Sequence, residues 1–531
     1  MDNTCSPPNT EMEASWSIIA CAVLVLILAL IWAWKVLNWL WLRPKKLERL
    51  LREQGLHGNP YRFLFGDSKD FLKARKEAIS KPMNLSDDIV PRVFSYFHRS
   101  VNKNGKNSFI WFGPVPRVII TDPELIKDVF NKIYDFPKPS TNPLVRLLVP
   151  GLVSYEGEKW NKHRKIINPA FHLEKLKNML PLFVKCCDEL ISKWEEMLST
   201  DGSCEMDVWP FLQNLTRDVI ARTAFGSSYE EGRRIFELLK EQANLAMKVM
   251  LKVYIPGYRF LPTPTHRRMK KIDRDIKDSL MDIINKREKA LQAGEATRND
   301  LLDVLLESNH KEIQEHGNNK NVGMNLEEVI EECKLFYFAG QETTSVLLVW
   351  TILLLSRYPD WQAQAREEVL QVFGNQTPDF DGLNRLKIVT MILNEVLRLY
   401  PPVVGLARRF NKDIKLGDLS LPAGVQISLP TILVHHDCEL WGDDAKEFNP
   451  KRFSEGLSKA TGGKVSFFPF GWGPRICIGQ NFTLLEAKLA LSMILQHFSF
   501  ELSPTYTHAP TTIITLQPEY GTQVILRKVE I

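Results

Sequence analysis

The stretch Phe470-Gly471-Trp472-Gly473-Pro474-Arg475-Ile476-Cys477-Ile478-Gly479 places one cysteine at the entrance of a strongly helical segment. A cysteine taken alone is most often a small buried hydrophobe. At a helix entrance the dipole and the free N–H groups favour a thiolate, and flanking glycines let backbone N–H groups approach the sulfur. Arg475 is placed to meet an anionic group nearby. No second cysteine or histidine follows at zinc spacing, and the next histidine, His497, lies at the far end of the helix. A zinc site is thereby disfavoured. One thiolate without protein co-ligands suits a metal whose other positions are filled from outside the chain, as in a haem.

Three further constellations accompany the cysteine. In Glu395-Val396-Leu397-Arg398 the charged pair shares a helix face. Such pairs are usually surface ion pairs worth well under about 1 kcal/mol. Here Met391, Ile392, Leu393, Val396, Leu397 and Leu399 make the helix apolar nearly all round, so the pair reads as buried and in need of partners. Ala339-Gly340-Gln341-Glu342-Thr343-Thr344 sits inside a long helical pattern. Its glycine costs about 1 kcal/mol relative to alanine, and a packing notch would explain it. Thr343 can donate to the carbonyl of Ala339 and bend the helix. An acid beside a hydroxyl at a locally opened helix can also move protons, which gives Thr343 and Glu342 a possible catalytic use. In Trp160-Asn161-Lys162-His163-Arg164 the Trp and Arg share a helix face, while Lys159, Lys162 and Lys165 read as solvated surface.

The elements that must hold these groups are mostly helical. Patterns span about Leu173–Leu198, Trp209–Phe225, Glu230–Val253, Thr265–Ala293, Leu326–Arg357 and Asn481–His497. Phe109–Thr121 reads as a hairpin, Asp122-Pro123-Glu124 as a helix start, Ile414–Pro430 as short strands and Ile313–Gly323 as a loop. No βαβ alternation, G-x-G-x-x-G or Walker loop is present, so a nucleotide cofactor bound within this chain is disfavoured.

Ala14–Trp34 holds 21 residues without a charge. As a helix it spans about 31 Å, the thickness of a hydrocarbon core. Trp32, Trp34, Trp39 and Trp41 form an aromatic belt, and Lys35, Arg43, Lys45, Lys46, Arg49 and Arg52 follow. A cleaved signal peptide fits less well, because the apolar run is long and Asp2, Glu11 and Glu13 precede it. By the positive-inside tendency the bulk of the chain faces the cytosol, which leaves the sequons at Asn84, Asn214, Asn375 and Asn481 silent. Ser345–Ser356 is too short to span and reads as a core helix. The expected organisation is a lumenal terminus at 1–13, an anchor at 14–34, a basic and Pro-containing linker at 35–60 and one haem domain at 61–531. Val253–Leu261 could be a second, monotopic membrane contact or a buried loop. A net charge of +5 gives no support for nucleic-acid binding, and 8 cysteines without a C-x-x-C pair suggest a reducing compartment.

The cysteine loop matches the F-x-x-G-x-R-x-C-x-G signature, and with the other motifs in order the chain resembles the cytochromes P-450, the haem-thiolate monooxygenases. Gly58-Asn59-Pro60-Tyr61-Arg62 and His435-His436-Asp437 resemble the plant microsomal clan that oxidises terpenoids and iridoids, family 72-like. The resemblance implies a mainly α fold with small β-sheets behind one transmembrane helix. It implies haem b with Cys477 as axial ligand, and Trp160, Arg164, Arg408 and Arg475 on the haem propionates with Phe470 and Gly479 against the cofactor. Arg452 would join Glu395 and Arg398 in a structural triad. Thr343 and Glu342 would relay protons for O₂ cleavage, and Phe336, Ala339, Gly340, Val403 and Val404 would line a lipophilic substrate pocket. It further implies electrons from NADPH through a separate flavoprotein reductase, docked near Lys451, Lys464 and Lys488, and an endoplasmic-reticulum location. The expected activity is hydroxylation or further oxidation of a lipophilic plant metabolite such as an iridoid, triterpenoid or diterpenoid. A haem-thiolate isomerase or dehydratase needing neither O₂ nor reductase competes with this, as does a non-catalytic membrane haem protein. Thr343 and the undisturbed loop count against both.

Overall fold

In the computed structural model of the chain, the described residues are 10–529 apart from 140–141, 227–228, 251, 253–257, 294–299, 316 and 318–321. The expected lumenal stretch up to residue 9, most of the Val253–Leu261 segment and part of the 313–323 loop lie outside them.

The apolar N-terminal run forms a helix over Thr10–Leu37. Its described side chains are exposed along the membrane-length window. The segment expected as a linker continues this rod. Asn38–Leu42 makes a π-helical turn and Arg43–Glu53 returns to α-helix. Pro44 occupies the first turn, where its missing N–H costs nothing, and Leu47 and Leu51 bury one face one turn apart. The composition looked like a linker, but that apolar pair docks the segment onto the catalytic body.

Helices build most of that body, with small sheets at its edges. Phe109–Thr121 forms the expected hairpin, pairing Ser108–Phe112 with Val115–Ile119 around Gly113. The second strand pairs in parallel with Gln426–Leu429, which pairs antiparallel with Leu406–Arg409. This register puts Arg408 opposite Ile427. Asp122 caps the helix Pro123–Asn131 by accepting from the N–H groups of Glu124 and Leu125.

The longest element of the catalytic body is the helix Leu326–Arg357. A capping box starts it: Asn325 accepts from the N–H of Glu328, whose carboxylate accepts from the N–H of Asn325. It is buried nearly all round, including the Ser345–Ser356 stretch. It crosses the main core, which also contains the helices Leu173–Glu196, Val208–Phe225 and Gln480–His497. A helix over Leu301–Glu315 was not anticipated from sequence, because its polar second half masks the buried Leu301–Leu306 face. Near the C-terminus a tight hairpin pairs Pro510–Ile513 with Thr515–Pro518.

Candidate active site

The cysteine loop closes on itself before the helix Gln480–His497 begins. The N–H of Cys477 donates to Phe470 O at 2.9 Å, and that of Ile476 to Gly473 O at 3.0 Å. Gly473 has φ +70°. A Cβ there would lie 3.0 Å from both Phe130 O and Asn131 Oδ1, so only glycine lets the loop pass the neighbouring helix. Cys477 is accessible, yet burial pushes its thiol up, against the Gly479 N–H and the Arg164 charge, which favour the thiolate. Both facts hold if the sulfur faces an enclosed space. Among the described residues no cluster of His, Cys, Asp or Glu could complete a metal site. The sulfur therefore suits a metal brought in by a prosthetic group.

Cations gather beside this loop with little to neutralise them. Arg164, on the helix Gly157–Ile167, donates to Ile476 O at 2.9 Å. Arg475 stacks 4.5 Å from the Trp160 ring centre and pairs with Glu156 at 2.6 Å. Its Nε is buried without a hydrogen-bond partner. Arg408 is buried and donates to the backbone O of Ala407. Burial and then the Arg475 charge pull its guanidinium down to about 10, against Glu156. Lys138 was not singled out from sequence: it is one lysine between two prolines in a loop. Burial pulls it down to about 7, helped by Arg475, Arg408 and Arg164 and opposed by Glu156. Of these four cations Arg475 pairs with Glu156 directly, the Glu156 charge also acts on Arg408 and Lys138, and Lys138 Nζ donates to Val153 O at 2.6 Å. Such a cluster, built beside an accessible cysteine, fits the carboxylates of a haem.

Beneath the loop the Glu395–Arg398 pair is fully buried at 2.7 Å. Arg398 also donates to His435 O at 2.7 Å, to Ala445 O and to Glu447 O. Asn449 N donates to Glu395 at 3.0 Å. His435 carries the link onward, because its Nε2 accepts from Phe468 N at 3.0 Å. Burial, then Arg398, depresses its pKa, so the imidazole stays neutral and able to accept. Phe468 O in turn accepts from Gly471 N, inside the cysteine loop. Arg452 lies 3.7 Å from Glu395, but its closer partners are Asp444 at 2.8 Å and Trp441 O at 2.7 Å.

The middle of the long helix carries other expected site residues. Ala339, Gly340, Glu342 and Thr343 are partly accessible there, whereas the residues before and after them are buried. Thr343 donates to Ala339 O at 2.9 Å, as its position suggested. A Cβ on Gly340 would lie 2.8 Å from Ile220, so close approach of the neighbouring helix accounts for that glycine. Phe336 is buried with its ring 5.8 Å from Phe171. Val403 is half-buried and Val404 is buried. Glu342 accepts from Thr515 Oγ1 at 2.7 Å and from Gln517 Nε2, both on the C-terminal hairpin. Sequence reading gave no hint of these partners, which lie far along the chain. Of the lysines considered for docking, Lys451 and Lys464 are exposed, while Lys488 is half-buried and donates to Leu383 O.

A family model for cytochrome P450 matches residues 85–526. The chain is 63% identical over 520 residues to cytochrome P450 72A68 of Medicago truncatula, covering 98% of this chain and 100% of that one. It is 63% identical over 511 residues to 11-oxo-beta-amyrin 30-oxidase of Glycyrrhiza uralensis, covering 95% and 98%. The retinoic acid-bound cyanobacterial CYP120A1 structure has the same fold, with a TM-score of 0.73 at 23% identity over 88% of this chain and 97% of that one.

Proposed function

The chain belongs to the cytochrome P450 family of haem-thiolate monooxygenases, and from that premise we propose that it oxidises a pentacyclic triterpenoid at the endoplasmic-reticulum membrane with electrons from NADPH. A separate flavoprotein reductase delivers those electrons to the cytosolic face, where Lys451 and Lys464 offer positive charge to an acidic partner. The reaction takes R–H, O₂, NADPH and H⁺ to R–OH, H₂O and NADP⁺. The substrate class rests on the extent of identity to 11-oxo-beta-amyrin 30-oxidase.

Haem, when bound, supplies the redox chemistry that activates O₂ for insertion into a C–H bond. The chain's residues hold and serve it. Cys477 would supply the thiolate that holds its iron, and the Gly479 N–H and Arg164 favour the anionic form. Lys138, Arg164, Arg408 and Arg475, with Trp160, hold the cofactor's carboxylates. Thr343 and Glu342 carry protons at the accessible stretch of the long helix, where burial pushes the Glu342 carboxyl up toward a neutral proton donor. Phe336, Ala339, Val403 and Val404 present apolar surface to the substrate.

The test is turnover in microsomes carrying the full chain and a plant reductase, with 11-oxo-β-amyrin and NADPH. The expected product is heavier by one oxygen atom and absent without NADPH. Haem-loaded protein that leaves this compound and a panel of other triterpenoids unchanged would overturn the substrate reading.

A further inference from the structure

The carboxylate of Glu342 does not stop at the helix that carries it. It accepts from Thr515 Oγ1 at 2.7 Å and from Gln517 Nε2, and Gln517 Nε2 also reaches Thr515 Oγ1 at 3.2 Å. Between the two hairpin strands sits Ile514 at φ +67°. A β-branched residue in that region is strained, and it persists where surrounding contacts fix it. The strands have holds of their own, one of them on Leu516 between the two residues that reach Glu342. Arg75 and Arg92 donate to Thr512 O and Pro510 O, and Leu516 is bonded through Pro402 O and Trp350 Nε1. The bonds to Glu342 come from the strand that leaves the tip, the first of them from Thr515 directly beside Ile514. Facing the same carboxylate are the charges of Arg217 and Lys240 from the two neighbouring helices.

We propose that Thr515 and Gln517 are positioning residues for Glu342, so that one carboxylate both pins the hairpin tip to the long helix and serves the proton path beside Thr343. The second half rests on the relay role proposed for Glu342; the pin itself does not. The physical consequence is coupling. A substrate that displaces the tip changes the donors on the carboxylate, and with them its readiness to hold a proton. The two hydrogen bonds favour the charged form, so their loss keeps the acid protonated to higher pH.

The double variant Thr515→Val/Gln517→Leu leaves Glu342 in place and tests this against Glu342→Gln. Hydrogen exchange of the ferric holoprotein reads the pin. The double variant is expected to speed exchange severalfold at Ile513–Gln517, whereas Glu342→Gln, which keeps an oxygen able to accept from both donors, should change it little; both should keep a thiolate Soret band. Unchanged exchange in the double variant would overturn the pin. The pH dependence of coupling, measured as oxygenated 11-oxo-β-amyrin formed per NADPH, reads the proton path. The double variant should shift its limb to higher pH, and Glu342→Gln should flatten it. A limb unmoved in the double variant overturns the coupling, whereas a wild-type limb in Glu342→Gln overturns the relay role. If the unmutated enzyme does not oxidise this probe, the substrate reading fails and exchange still decides the pin.

Discussion

The two sides of the proposed cofactor site solve the problem of buried charge in opposite ways. On the thiolate side Glu395 and Arg398 are both fully buried and hydrogen-bonded to each other and to backbone groups, and a neutral His435 passes the link to the cysteine loop. On the substrate side Glu342 is held by two neutral side chains, next to a helix stretch that stays partly accessible and a hairpin tip that is strained. Saturated pairing in a low-dielectric interior gives a rigid frame, since any rearrangement strands a charge. Neutral donors around a carboxylate leave its protonation adjustable. The first arrangement suits a sulfur that must keep its geometry; the second suits protons and substrates that come and go.

Breaking the frame has the largest expected effect. Arg398→Ala leaves buried Glu395 with the more distant Arg452, at 3.7 Å, as its remaining charge partner, a loss approaching the roughly 3–5 kcal/mol usual for breaking a buried pair. Thermal unfolding should show a collapse in stability together with failed haem loading. A stable, haem-loaded variant would mean that the pair is not the frame.

The cation cluster lies between the two regimes and should break more gently. Each charge-assisted hydrogen bond is worth about 1.5–3 kcal/mol. Arg408→Ala and Lys138→Met should therefore each speed haem loss by about tenfold or more, read by transfer to apomyoglobin. Equal rates in both variants and the unmutated protein would place the cofactor's carboxylates elsewhere.

On the adjustable side, Thr343→Ala should leave the fold and NADPH consumption largely intact. The share of electrons ending in product should fall, with hydrogen peroxide rising in proportion. Full coupling in that variant would remove Thr343 from the proton path.

The smallest effect concerns Glu486, on the helix that follows the cysteine loop. Burial, opposed by the Thr344 hydroxyl, pushes its carboxyl well above the usual value of 4.5. A folded-state pKa above the unfolded one contributes stability that is complete below about 4.5 and is lost as pH rises toward the folded value. Glu486→Gln removes that loss. Its melting temperature should match the unmutated protein in acid and exceed it increasingly toward neutral and alkaline pH. A constant difference across pH would contradict the raised pKa.

The contrast also explains what could be seen in the sequence. Cys477, Glu395, Arg398 and Thr343 stand out because local spacing carries their meaning: a glycine-shaped loop before a helix, a charged pair on an apolar helix, a hydroxyl one turn from a carbonyl. The helical pattern over Leu326–Arg357 is legible for the same reason, and the structure bounds the helix at those residues. Lys138, Thr515 and Gln517 have no such local signature. Only folding brings an unremarkable loop lysine to Arg408, or a C-terminal hairpin to Glu342. The helical shoulder at Arg43–Glu53 was hidden differently, because its charge density looked like a linker while two leucines did the docking. Arg452 shows the limit of a resemblance: it reaches the triad, but its shorter contacts go to Asp444 and Trp441.

We assign Cys477, framed from below and flanked by the cation cluster, as the thiolate that would hold a haem. The most direct test of this assignment is the absorption spectrum of the reduced, carbon monoxide-bound protein. The full chain should give a thiolate-type Soret band, and Cys477→His should convert it to an imidazole-type band with haem still bound. An imidazole-type band in the unmutated protein, or a thiolate-type band surviving in Cys477→His, would contradict the assignment.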